Sequence, residues 1–161
     1  YKVNTYNDYT EYICIDQFGN YIIFKETAVM NYSVVLDTYT IDLPEVVEKY
    51  NNSNEKEKVG MNITKIVDAL NDKDYEYVYN KLNDTFKKNN FDQLTLFENF
   101  VNDNLFNKNK VESGDFSEEG SAYVYKLNIK NPDDDSEETK KMTVVMKLLE
   151  GMDFVMSFSL E

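Results

Sequence analysis

The sequence predicts an α+β fold, because β-prone segments lie near both ends of the chain and apolar residues recur at helical spacing in between. Hydrophobic residues make up 42% of the 161 residues and aromatic residues 14%, so the chain can bury a core. This length suits one domain, or one domain with a small appended unit. We therefore expect an N-terminal β-hairpin, followed by helices packed on an antiparallel sheet.

The N-terminal part contains two short β-prone segments that we expect to form the hairpin. Residues 12–15 and 21–24 are rich in Tyr, Ile and Phe, and a polar turn that contains Gly19 separates them. Cys14 lies in the first of these strands, where apolar neighbours predict a buried thiol that packs as a small hydrophobe. A third β-prone segment at residues 32–41 is mixed on both faces, so its pattern does not identify a pairing partner.

A helix, or a pair of helices, is predicted from residue 42 to about residue 70. Asp42 can cap the first turn, where Pro44 is tolerated. Asn54 ends a polar run that can interrupt the helix, and Asn54 with Glu57 can then cap the second half. One face of that half carries the apolar residues Val59, Ile63, Ile66, Val67 and Leu70.

Two further helices and then four strands are predicted downstream. The first of these helices follows residue 74, and the second spans residues 92–106. From residue 110 the apolar period changes to two, as in strands, and Gly151 can form the last turn. The predicted strands cover residues 111–116, 122–129, 142–149 and 153–160.

The order of these elements and two long segments resemble a known superfamily. The segments are KIVDALNDKDYEYVYNKLNDTFKKNNFDQLTLFENFV at residues 65–101 and MTVVMKLLEGMDFVMSFSLE at residues 142–161. They resemble the nuclear-transport-factor-two-like superfamily of the cystatin-like fold, in the form seen in uncharacterised membrane-anchored proteins of AT-rich Gram-positive bacteria. The resemblance implies a cone built from a long helix and a curved antiparallel sheet. It also implies a cystatin-like domain at residues 44–161 and an N-terminal β-rich extension at residues 1–43.

The composition excludes several kinds of chemistry. The chain has no His and a single Cys, so it cannot use imidazole catalysis or an internal disulfide, and zinc or thiol catalysis is not expected. Its five glycines do not form a phosphate-binding loop, and a net charge of −13 opposes binding to nucleic acid. The acidic run at residues 133–138 lacks the EF-hand spacing, so we interpret it as an exposed loop. We expect no metal, no cofactor and no nucleic-acid partner.

Four tyrosines are the predicted ligand or partner site. The resemblance implies that Tyr75 and Tyr79, on a predicted helix, and Tyr123 and Tyr125, on a predicted strand, can line the open end of the cone. Tyr combines an apolar ring with a polar hydroxyl that can orient a ligand. Core packing is the alternative interpretation of the same residues.

We expect a non-enzymatic extracytoplasmic domain that binds a protein partner, on the basis of the excluded chemistry, the acidic charge and the resemblance. One alternative is a small-molecule-binding cone, or an enzyme that uses Tyr and carboxylates. Another is a homodimer formed through the open sheet face. The chain begins at Tyr1 with a polar run, which leads us to expect that an upstream signal or membrane anchor has been removed from a cell-surface or secreted parent.

Overall fold

The computed structural model describes residues 1–15, 21–28, 31–35, 44–133 and 138–161. The chain divides into two compact units, Tyr1–Asp42 and Leu43–Glu161. In the described ranges the first unit is built from β-strands, and the second from helices followed by strands. The predicted α+β fold class is therefore confirmed. Among the helices of these ranges, none combines the length and the apolar character that crossing a bilayer requires.

The N-terminal unit is an antiparallel sheet with the strand order β1-β2-β3-β4. The strands are β1 Lys2–Thr5, β2 Thr10–Ile15, β3 Tyr21–Ala28 and β4 Asn31–Val35. The predicted hairpin is formed by β2 and β3, where Ile13 lies opposite Ile23. Its turn at residues 16–20 and most of the predicted third strand lie outside the described residues. The hairpin is thus part of a larger sheet, since β1 and β4 extend it on both sides.

Side chains of β2 alternate between a buried and an exposed face, as strand geometry requires. Ile13 is buried, and the next residue, Cys14, is exposed on the opposite face. The predicted burial of the Cys14 thiol is therefore wrong, because four consecutive apolar residues did not show which alternate pair faces inward. On the buried face, Glu11 lies 3.3 Å from the Nζ of its cross-strand partner Lys25.

The C-terminal unit begins with helices and ends with an antiparallel sheet in the order β5-β6-β7-β8. The helices are α1 Pro44–Asn52, α2 Glu55–Asn71, α3 Tyr75–Lys81, α4 Asp84–Asn90 and α5 Leu94–Asn104. The strands are β5 Lys110–Glu119, β6 Ala122–Lys130, β7 Thr139–Leu148 and β8 Phe154–Leu160. Gly151 takes a φ of 70° in the last turn, which is the conformation expected of it.

Side-chain caps define where the helices start. The Glu57 N–H donates to Asn54 Oδ1 at 3.0 Å, and the Asn54 N–H donates to Glu57 Oε2 at 2.9 Å, so the predicted capping box begins α2. Asp74 caps α3 by accepting from the Tyr77 N–H at 3.1 Å. Asn83 caps α4, a seven-residue helix that the apolar pattern did not predict.

Candidate functional site

The space between the helices and the sheet of the C-terminal unit is filled with apolar side chains. Phe97 of α5, Met146 of β7 and Phe154 of β8 are all at most 1% exposed. The cavity that remains among these layers has a volume of about 30 Å³. Small-molecule sites usually have volumes of about 300–1,000 Å³. This cavity is therefore too small to enclose a ligand of that size.

A larger open space, of about 480 Å³, lies on the same unit between α2 and the first two strands of the sheet. We call it the α2–β5 groove. Its walls include Gly60, Thr64, Asp68 and Asn71 of α2, Val111 of β5 and Tyr125 of β6. The α2 residues recur at intervals of three and four, so they form one stripe along the helix.

The small residues Gly60 and Thr64 leave space between α2 and the sheet in the groove. No described atom lies within 4 Å of the position that a Cβ on Gly60 would take. Glycine in a helix interior is about 1 kcal/mol less favourable than alanine. Gly60 therefore destabilises α2, and no described neighbour is close enough to require a glycine at this position. The Thr64 hydroxyl is satisfied locally, because it donates to the Gly60 carbonyl oxygen at 3.1 Å.

Two asparagines fix one end of the groove. Asn71 Oδ1 accepts from the backbone N–H of Asn109 at 2.7 Å, and Asn71 Nδ2 donates to the Asn109 carbonyl oxygen at 3.0 Å. Asn109 is 5% exposed, and its own amide side chain bonds to both backbone groups of Phe106. The two hydrogen bonds between the Asn71 side chain and the Asn109 backbone hold the start of β5 against the last turn of α2.

Asp68 brings a carboxyl group to the groove. Partial burial raises the pKa of Asp68, and the nearby Asp72 carboxylate adds to the rise. The groove thus contains one carboxyl group that is more easily protonated than usual, together with the phenol of Tyr125.

Tyr125, which lines the groove, also belongs to a group of aromatic and acidic side chains. The Phe116 ring lies 6.0 Å from the Tyr123 ring in a stacked arrangement and 5.5 Å from the Tyr125 ring in an edge-on one. Partial burial raises the pKa of Tyr123, and the Glu55 and Glu118 carboxylates act in the same direction. We call Glu55, Phe116, Glu118, Tyr123 and Tyr125 the acidic–aromatic end.

The four tyrosines predicted from the sequence fall into two separate groups. Tyr75 and Tyr79 lie on α3, where the Tyr75 hydroxyl donates to Asn102 Oδ1 at 2.7 Å and the Tyr79 hydroxyl donates to the Phe91 carbonyl oxygen at 2.8 Å. Tyr123 and Tyr125 lie on β6 and meet at the acidic–aromatic end. Of the four, Tyr125 also lines the groove. A ligand-binding role for these tyrosines stays a prediction.

Acidic side chains of the described ranges do not gather into a metal site. No group of three His, Cys, Asp or Glu residues in those ranges is placed to hold an ion. In the predicted acidic loop, Asp133 pairs with Lys108 at 3.0 Å, and residues 134–137 lie outside the described part of the chain.

Comparisons of the chain with protein-family models, with curated proteins and with solved structures find no match. The resemblance to the nuclear-transport-factor-two-like superfamily therefore stays a prediction.

Proposed function

We propose that the C-terminal unit is a non-enzymatic protein-binding module whose partner binds in the α2–β5 groove. The observation that carries the proposal is the contrast between a core cavity of about 30 Å³ and an open groove of about 480 Å³. A closed cavity would favour a small ligand, whereas an open groove beside a helix and a strand gives a protein segment access along its length.

A small-molecule site, or an enzyme based on Tyr and a carboxylate, is the second candidate. It is favoured by the presence of Tyr125 and Asp68 in one groove whose volume falls within the usual range for such ligands. The two candidates differ in what should bind. Ligand-observed NMR with a fragment library tests the second candidate, and fragments that bind wild-type protein but not a Tyr125→Phe variant would favour it over the first.

We also propose that the C-terminal unit belongs to the cystatin-like fold and that the protein works outside the cytoplasm. Helices followed by an antiparallel sheet support the fold assignment, and the location rests on the resemblance of residues 65–101 and 142–161 to membrane-anchored proteins. Fractionation of cells that express the full-length gene product tests the location. Recovery of the protein in the cytoplasmic fraction alone would contradict it.

The protein-binding proposal can be tested with a random peptide display library selected against the intact chain. We expect peptides that bind wild-type protein and lose at least about tenfold in affinity against a Gly60→Gln variant, whose side chain extends into the groove. Gly60→Ala is the matched control, because it makes the same backbone change without filling the groove. Equal binding to wild type and Gly60→Gln, or no selected peptide, would contradict the proposal.

A further inference from the structure

The two edge strands of the C-terminal sheet, β8 and β5, differ in the backbone hydrogen bonds that they form outside the sheet. At the β8 edge, the Asn83 N–H donates to the Met156 carbonyl oxygen at 2.7 Å, and Leu82 forms a parallel bridge with Met156. At the β5 edge, the backbone hydrogen bonds within the described ranges are those of the pairing with β6. Alternate N–H and C=O groups of β5 therefore point away from the sheet, and no strand of the described ranges receives them.

The open edge meets the α2–β5 groove at the start of β5. Lys110 and Val111 of β5 line the groove together with the α2 stripe. An edge strand beside a helix is the arrangement in which a protein adds an extended peptide as a further strand, with backbone hydrogen bonds supplying affinity and the groove receiving alternate side chains. About seven residues at 3.3 Å each would cover β5 from Lys110 to Phe116.

The acidic side chains of β5 favour a positively charged strand at this edge. Asp115, Glu118 and Glu119 are exposed on β5 and form no ion pair within the described part of the chain. Like charges oppose edge pairing with a second copy of this acidic chain. The same carboxylates attract a cationic strand, because the sign of the charge interaction is reversed.

The acidic–aromatic end provides a specific position for a cation. Glu118 lies opposite Tyr123 in the β5–β6 register, so its carboxylate is on the face that carries the Phe116, Tyr123 and Tyr125 rings. Lys and Arg side chains bind over aromatic rings, and neighbouring carboxylates strengthen that binding.

We propose that the partner is an extended peptide segment that adds to β5 as a fifth strand and places a Lys or Arg side chain at the acidic–aromatic end. This inference rests on the proposed protein-binding function and names the chemistry of the partner. The charge of the segment and its backbone pairing are separate requirements, and each can be removed without the other.

The probe is an acetylated and amidated peptide of about eight residues that alternates Lys and Val, measured by fluorescence anisotropy against the intact chain near physiological salt. Two N-methylated analogues carry the methyl groups on the Lys amides or on the Val amides, and these amides lie on opposite edges of a strand. We expect one analogue to lose at least about tenfold in affinity and the other to bind like the parent. A peptide with Glu in place of Lys should bind at least about tenfold more weakly.

Two matched protein variants test the position of the cation. Glu118 and Glu119 are adjacent and exposed, but Glu119 lies opposite Ala122 and on the other face of the sheet. Glu118→Lys and Glu119→Lys change the net charge equally, so a general electrostatic effect would weaken both. We expect Glu118→Lys to lose at least about fivefold more affinity than Glu119→Lys.

The outcomes separate this inference from the proposed function. Equal binding by the two N-methylated analogues, tight binding of the Glu peptide, or equal losses for the two variants would overturn the inference. The proposed function would still hold if library-selected peptides bind wild-type protein and lose affinity against Gly60→Gln. Light scattering that shows a dimer broken by Glu118→Lys would make a second copy the occupant and would also overturn the inference. If no peptide of any kind binds, both proposals fail.

Discussion

A Gly60→Ala substitution tests whether the helix wall of the α2–β5 groove is open in solution. Gly60 lies within α2, and no described atom is within 4 Å of the position of an added Cβ. The methyl group should therefore meet no steric resistance and bury little additional surface. What remains is the difference in helix propensity, which favours alanine.

The expected gain is about 0.8–1 kcal/mol in the free energy of unfolding of the C-terminal unit. For a unit of this length, that corresponds to a rise of about 4 °C in Tm. The two compact units can unfold in separate transitions, so hydrogen exchange at the α2 amides is the appropriate assay, because it reports the unit that carries the substitution.

Gly114→Ala is the contrasting variant. An added Cβ there would overlap the Lys126 carbonyl oxygen and lie 3.0 Å from the Lys126 carbonyl carbon, so we expect a loss of about 1–3 kcal/mol. A loss of stability in Gly60→Ala as well would refute the reasoning, because it would mean that other atoms already occupy the floor of the groove.

Three further substitutions test the packing and the charges of the C-terminal unit. Phe97→Ala should cost about 3–5 kcal/mol in urea unfolding, because Phe97 is 1% exposed within an aromatic cluster. Tyr50→Phe removes the hydroxyl oxygen that accepts from the buried Asn62 amide at 3.2 Å. The substitution should cost about 1–3 kcal/mol in the same assay. A neutral effect would mean that the Asn62 amide finds another partner. Partial burial raises the pKa of Asp153, but hydrogen bonds from Lys81 and from the backbone outweigh it and leave the pKa lowered. Ionised Asp153 therefore stabilises the fold above its unfolded pKa of about 3.9, and this stabilisation is lost as the pH falls through the lower pKa of the folded state. The stability difference between wild type and Asp153→Asn should accordingly shrink below about pH 4.

Much of the fold could be predicted because its signals are local. The Asn54 and Glu57 side chains are three residues apart, so the capping box that begins α2 is visible in the sequence. The strands of the second sheet follow from the period of two. Helix α4 was missed because it is seven residues long and mostly polar, with Phe86 as its apolar anchor against Phe91 and Phe158.

The candidate site could not be predicted from local patterns. Asn71 and Asn109 are far apart in the chain and resemble the many other asparagines of an Asn-rich sequence, yet their reciprocal hydrogen bonds close one end of the groove. Strict alternation from Val111 would place Phe116 on the opposite face of the sheet. The bulge before Phe116 shifts the register and turns its ring toward Tyr125, and bulges of this kind are not specified by hydrophobic period.

Amide-resolved NMR is the most direct test that a partner binds in the α2–β5 groove. The 15N-labelled intact chain would be titrated with a library-selected peptide while the amide shifts of the C-terminal unit are followed. The account predicts shifts concentrated in α2 from Gly60 to Asn71, in β5 and around Tyr125. Shifts concentrated instead on α3, around Tyr75 and Tyr79, with the groove amides unmoved, would contradict it.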